Sequence, residues 1–165
     1  MKTAVIYSSK HGTTEKIANY IAEKLTKTNE VELFSLKKIT SLDISRYDKI
    51  ILGTPIYAGQ PVKNMKNFCK TNESILLQKK ICLFICGMEP TKEQQEKELK
   101  EAFPETLIKS AAITSFLGGE FLFEKMNFLE KFIIKKIVKT KTSSSRIDWE
   151  SVENIILKFN DINIS

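Results

Sequence analysis

The chain has 165 residues, 42% hydrophobic and 28% charged, with a net charge of +6. This fits one ordinary domain spanning residues 1–165, which can bury roughly 70% of its unfolded surface without a disulfide or metal staple. His11 lies far in sequence from Cys69, Cys82 and Cys86, and there is no C-x-x-C pair, so no metal site is expected and the thiols read as reduced cysteines of a cytoplasmic protein.

No apolar run approaches the ~20 residues of a transmembrane helix. Met1-Lys2-Thr3 carries no cleavage pattern, so no signal peptide is expected. The run Thr3-Ala4-Val5-Ile6-Tyr7 is too short for a helix and ends in a polar, glycine-containing loop, which makes it a buried strand. Ile17, Ala18, Ile21, Ala22 and Leu25 then recur at helical spacing, with Glu15, Lys16, Glu23 and Lys24 on the other face. Residues 31–34 form a second strand. Residues 50–53 form a third, stopped by Thr54-Pro55.

A helix is expected from Pro61 or Val62 through Met65 and Phe68, and a fourth strand over 81–85, ending at Cys86-Gly87. Thr91-x-x-Gln94 is a capping-box pattern opening a polar helix to Phe103. A fifth strand covers 111–116. After Gly118-Gly119 a long helix is expected over about 127–139, and a last one from near Asp148, carrying Trp149, Val152, Ile155, Ile156 and Phe159. Strands alternating with helices imply a parallel sheet covered on both faces. Ligands in such α/β folds bind at the carboxyl ends of the strands, which brings loops 8–14, 54–60 and 86–90 together.

Ser8-Ser9-Lys10-His11-Gly12-Thr13-Thr14 offers hydroxyls, a bend residue and successive N–H groups leading into a helix N-terminus. Unsatisfied donors and a partial positive charge at such a terminus suit a phosphate monoester. Ser9, Thr13 or Thr14 could equally be an N-cap serving stability alone. The loop lacks G-x-x-x-x-G-K-[ST], G-x-G-x-x-G and a cysteine, and Gly53-Thr54 stand where a phosphoacceptor aspartate would, which sets aside the other common phosphate chemistries.

With Gly53-Thr54-Pro55-Ile56-Tyr57-Ala58-Gly59 and Gly87 at the ends of strands three and four, the pattern resembles a flavodoxin. The resemblance implies a three-layer α/β/α fold with a five-stranded parallel sheet in the order 2-1-3-4-5, and FMN as cofactor. It also implies a cofactor site built from Ser8, Ser9, Lys10, His11, Gly12, Thr13, Thr14, Thr54, Pro55, Ile56, Tyr57, Ala58, Gly59, Cys86, Gly87 and Met88. Tyr57 would either stack on the isoalloxazine or stand as an exposed turn residue. His11 would either meet the phosphate or occupy an exposed turn. Cys86, Gly87 and Met88 would lie by the dimethylbenzene or the pyrimidine edge. No catalytic residue is assigned. Unlike many flavodoxins, the third loop holds one acid, Glu89, and no aromatic.

Between Lys125 and Arg146 there are seven basic residues against one acid, Glu130, which accounts for the whole net charge. Met126, Leu129, Phe132, Ile133, Ile137 and Val138 give this segment a broad apolar face. It reads as a core-packing helix with a lysine face, or as a surface for anionic lipid or an anionic substrate. No nucleic-acid motif accompanies the charge. The stretch 128–137, followed by Ile147-Asp148-Trp149-Glu150, is similar to the tail of the menaquinone-dependent protoporphyrinogen dehydrogenases. That resemblance implies an FMN-dependent oxidoreductase acting on a porphyrinogen, with quinone as acceptor and peripheral contact at the inner face of the membrane. A flavodoxin-like electron carrier with protein redox partners is the alternative.

Overall fold

The computed structural model describes residues 1–121, 123–128, 131–132 and 144–161. In chain order come β1 (Lys2–Tyr7), α1 (Thr13–Leu25), β2 (Glu30–Ser35), β3 (Lys49–Tyr57), β4 (Gln60–Pro61), α2 (Lys63–Leu76) and β5 (Lys80–Cys86). Then follow α3 (Lys92–Ala102), α4 (Glu105–Ser110), β6 (Ile113–Phe116), β7 (Glu120–Phe121), a 3-10 turn (Phe123–Lys125), β8 (Ser144–Ser145) and α5 (Trp149–Asp161). Five parallel strands run in the order β2-β1-β3-β5-β6, which is the expected 2-1-3-4-5. The sheet gains a sixth strand, β4, paired antiparallel to the end of β3.

The three layers follow from the period-2 alternation of buried strands. Val5, Tyr7, Ile51, Cys82 and Phe84 pack with Ile17 and Ile21 of α1 and Val152, Ile155 and Phe159 of α5. Their neighbours Ala4, Ile6, Ile50, Leu52, Leu83 and Ile85 pack on the opposite face with Met65 and Leu76 of α2, Ala102 of α3 and Leu107 of α4. Each apolar strand residue thus has a helix beneath it.

Three expectations change. β3 does not stop at Thr54-Pro55 but runs to Tyr57. β1 ends opposite Gly53, whose C=O accepts the Ser8 N–H at 2.9 Å, so by alternation the Pro55 nitrogen faces the same side beyond the end of β1. There its missing N–H breaks no ladder, and Pro55 still pairs with Cys86 of β5. The capping box at Thr91 does not form. Thr91 Oγ1 donates instead to Glu89 Oε1 at 2.7 Å, and the Gln95 amide donates to the Glu89 C=O. β6 begins at Ile113 because Ala111 closes α4, a helix the sequence reading did not anticipate, through its N–H to Leu107 C=O. Of the helix expected over 127–139, a helical bond from Lys131 N–H to Asn127 C=O is present, and residues 129–130 and 133–139 lie outside the described residues.

The chain leaves the end of β6 and returns along itself. Arg146 N–H donates to Gly119 C=O, Asp148 N–H to Leu117 C=O, and β7 pairs antiparallel with β8. Asp148 then caps α5, accepting the Ser151 N–H at 3.0 Å.

Gly53 sits where β3 crosses the ring of Phe84, and a Cβ there would stand 2.1 Å from Phe84 Cζ. Gly53→Ala is therefore expected to destabilise the protein by about 1–3 kcal/mol, the cost of overpacking a filled core, read as a lower midpoint in urea.

Candidate functional site

Loops at the carboxyl ends of β1, β3 and β5 meet around a cavity of about 850 Å³. That volume lies within the roughly 300–1,000 Å³ of small-molecule and cofactor sites. Ser9, Lys10, His11, Thr13 and Thr14 line it from the first loop, Pro55, Ile56, Tyr57, Ala58 and Gly59 from the second, and Cys86, Gly87 and Met88 from the third. Ser8, Gly12 and Thr54 do not line it. Ser8 is buried, its hydroxyl donating to Asn64 Oδ1 at 2.7 Å, which anchors the loop to α2. Gly12 opens onto a smaller hollow beside Tyr7 and Glu15. Thr54 is fully buried, and its hydroxyl has no hydrogen-bond partner among the described residues.

Gly12 is the N-cap of α1, at φ +102, a conformation glycine adopts without steric cost. Ser9 Oγ accepts the Gly12 N–H at 3.1 Å, and no side chain caps the first turn. Ser9, Thr13 and Thr14 are therefore not the N-cap. The first-turn N–H groups stand beside the cavity with the positive end of the helix dipole behind them. Lys125 Nζ lies 3.1 Å from where a Cβ on Gly12 would be. A cation at the positive end of a helix is unfavourable alone, and an anion between the two makes both contacts favourable.

Glu120 lines the same end of the cavity. Its carboxylate accepts from Lys16 Nζ at 2.9 Å, Ser145 Oγ at 3.0 Å and Thr13 Oγ1 at 3.4 Å, tying α1 to β8. Burial pushes its pKa up, but these three donors together win and hold it below the usual glutamate value. In the third loop, burial pushes the Cys86 thiol up to about 12, against a smaller opposing pull from the Thr14 hydroxyl, so it is an unreactive wall residue.

Tyr57 is neither exposed nor in a turn. It ends β3, half-buried, with Lys10 Nζ 3.8 Å from its ring centroid and the His11 ring centroid at 5.2 Å. His11 likewise is half-buried rather than exposed. The turn that follows is Ala58-Gly59, with φ of +50 and +72, a two-residue hairpin connection in which both residues are left-handed.

The sequence reading missed other lining residues. Gly119 and Glu120 follow β6, and the same strand-end rule would have found them. Met126, Ser144 and Arg146 come from the long connection after β7, where no local spacing marks them. Gln94 and Glu98 sit one turn apart on α3. Glu98 is 4% exposed, and burial, reinforced by Glu89 and Glu101, raises its pKa.

Residues 4–148 match the family model described as a flavodoxin domain. The chain belongs to the flavodoxin domain family. It is 20% identical to protoporphyrinogen IX dehydrogenase [quinone] of Escherichia coli strain K12 over 93% of this chain and 92% of that one. It is 23% identical to a flavodoxin of Clostridium saccharobutylicum over 93% and 96%. The crystal structure of oxidised flavodoxin 1 from Bacillus cereus superposes with a TM-score of 0.61 at 19% identity, covering 99% of this chain and all of that one.

The cofactor of this family is FMN, and the residues here fit it. The uncapped first turn of α1 under Lys125 suits its phosphate. A Cβ on Gly59 would meet nothing within 4 Å, leaving space above the second loop, whereas one on Gly87 would reach the Phe116 ring at 3.2 Å.

The sign of the Glu120 shift gives a pH dependence. A lowered folded-state pKa contributes stability that is full above the ordinary value of 4.5 and is lost as pH falls through the lowered one. Glu120→Gln is expected to flatten the loss of stability below pH 4.5 relative to the parent, as measured by urea unfolding across a pH series.

Proposed function

We propose that this chain is an FMN-dependent oxidoreductase of the quinone-linked protoporphyrinogen dehydrogenase type, working in contact with an anionic membrane. The observation that carries the reading is the segment after β7. Lys125 Nζ stands beside Gly12 of the first loop and Met126 lines the cavity, while Phe128 and Phe132, a turn apart, are 88% and 61% exposed beside Lys131. Large exposed aromatics next to lysines suit the boundary between headgroups and acyl chains, where a quinone would be met. No described helix is long and apolar enough to cross a membrane, so such contact would be peripheral. Similarity to the Escherichia coli enzyme over nearly the full length of both chains supports the same reading. The similarity to the Clostridium flavodoxin supports the alternative, a one-electron carrier that meets protein partners through the basic surface.

Bound FMN would supply the redox chemistry, accepting an electron pair and releasing it. The chain's own residues do the rest. Ser9, Thr14, the first-turn N–H groups of α1 and Lys125 would hold the phosphate. Pro55, Ile56 and Met88 present apolar surface that excludes water from one side of the cavity. Lys10, over the Tyr57 ring, would stabilise negative charge on a reduced flavin held beside the second loop.

The purified protein is expected to take up FMN and to oxidise a porphyrinogen anaerobically with a menaquinone analogue. A protein that gains no flavin absorbance overturns both readings, and one that takes up FMN without turnover but exchanges electrons with a ferredoxin-type reductase is the carrier. Lys125→Ala should raise the FMN Kd roughly tenfold, about 1.4 kcal/mol, and weaken its salt dependence, measured by quenching of flavin fluorescence. Replacing Phe128 and Phe132 together by Ser should cut sedimentation with phosphatidylglycerol vesicles roughly tenfold while leaving FMN affinity unchanged.

A further inference from the structure

Glu98 stands on α3, packed against the face of the sheet opposite α1, and lines the cavity wall there. It is 4% exposed, and Oε2 is buried with no hydrogen-bond partner among the described residues. Its charged neighbours are Glu89 and Glu101, both of the same sign. No lysine or arginine pairs with it among the described residues. A buried carboxylate oxygen without a donor destabilises the fold that holds it, and an apolar side chain would fill the space with less cost. A ligand in the cavity can supply the missing donor.

That ligand is not the phosphate end of FMN, a dianion that the carboxylate repels and for which α1 and Lys125 provide a cationic seat. We infer that Glu98 accepts a hydrogen bond from an N–H of the molecule that gives its electrons to the flavin, so that the site selects substrates carrying a ring N–H. Gln94, one turn earlier on the same wall, adds an amide beside it. The inference rests on the porphyrinogen reading, which brings pyrrole N–H donors to the cavity; the flavin's own ring N–H is the competing donor, and the FMN Kd separates the two.

The test compares parent, Glu98→Leu and Glu98→Gln proteins, all loaded with FMN. Glu98→Leu is expected to raise the KM for porphyrinogen at least tenfold, to leave the FMN Kd unchanged, and to raise the melting temperature of the flavin-free protein. Glu98→Gln, which keeps an acceptor oxygen, should restore most of the affinity. An N-methylated porphyrinogen should show no difference between parent and Glu98→Leu. A rise in FMN Kd with unchanged KM would assign Glu98 to the cofactor and overturn the inference, as would no change in either. If the parent turns over no porphyrinogen, the functional reading fails by itself. The Glu98 inference is then decided by calorimetric binding of a dipyrromethane to the flavin-loaded proteins: binding lost in Glu98→Leu supports it, and equal or absent binding overturns it.

Discussion

The first turn of α1 has no side-chain cap and opens beside the cavity, and the site is organised around its leading N–H groups. Ser8 ties the end of β1 to Gly53 and Asn64, so the loop leaves the sheet in a defined direction. Gly12 turns it at positive φ, and Ser9 spends its acceptor on the Gly12 N–H rather than on the helix. What remains is a row of donors at the positive end of a 13-residue helix. Such a terminus binds anions through local hydrogen bonds as well as through the dipole, so its selectivity lies in the shape of the loop.

The second requirement is that the long connection after β6 return to this terminus. Close backbone approaches position it. A Cβ on Gly119 would stand 2.8 Å from the Gly87 oxygen, and one on Gly118 would stand 1.9 Å from the Arg146 oxygen. Gly87 N–H donates to Gly118 C=O, so the third loop and the start of the connection share a hydrogen bond. Glu120 then links both strands of this base to Lys16 and Thr13 of α1. Fixing the base allows Lys125 to reach the phosphate loop while Phe128 and Phe132 face outward. One segment can therefore serve a cofactor and a surface together.

Most of the fold was legible because burial imposes periodicity. Short unbroken apolar runs at residues 4–6, 50–52 and 81–85 mark strands buried on both faces, and the 17-18-21-22-25 spacing marks α1. The failures share a cause: each depends on a neighbour that local sequence does not contain. Pro55 is tolerated only because β1 has already ended. Thr91 fails to cap α3 because Glu89 engages its hydroxyl first. The three site loops were found by a rule about strand ends, which is topological and so survives ignorance of side-chain contacts. Lys125, Arg146 and Glu98 escaped it because two come from a connection that folds back and the third from the body of a helix.

Placed together, these residues give the cavity a direction. Lys125 and the α1 terminus make one end cationic, Lys10 lies over Tyr57 at the second loop, and Glu98 with Glu89 makes the α3 wall acidic. The two ends lie on opposite faces of the sheet, so a ligand carrying a phosphate has one favourable orientation. The loops after β3 and β5 lie between them and would hold the ring of such a ligand. A carrier exchanging single electrons with a protein needs only an exposed ring edge. A buried carboxylate oxygen without a partner among the described residues suits a ring N–H, and on the porphyrinogen reading the substrate brings one to that wall.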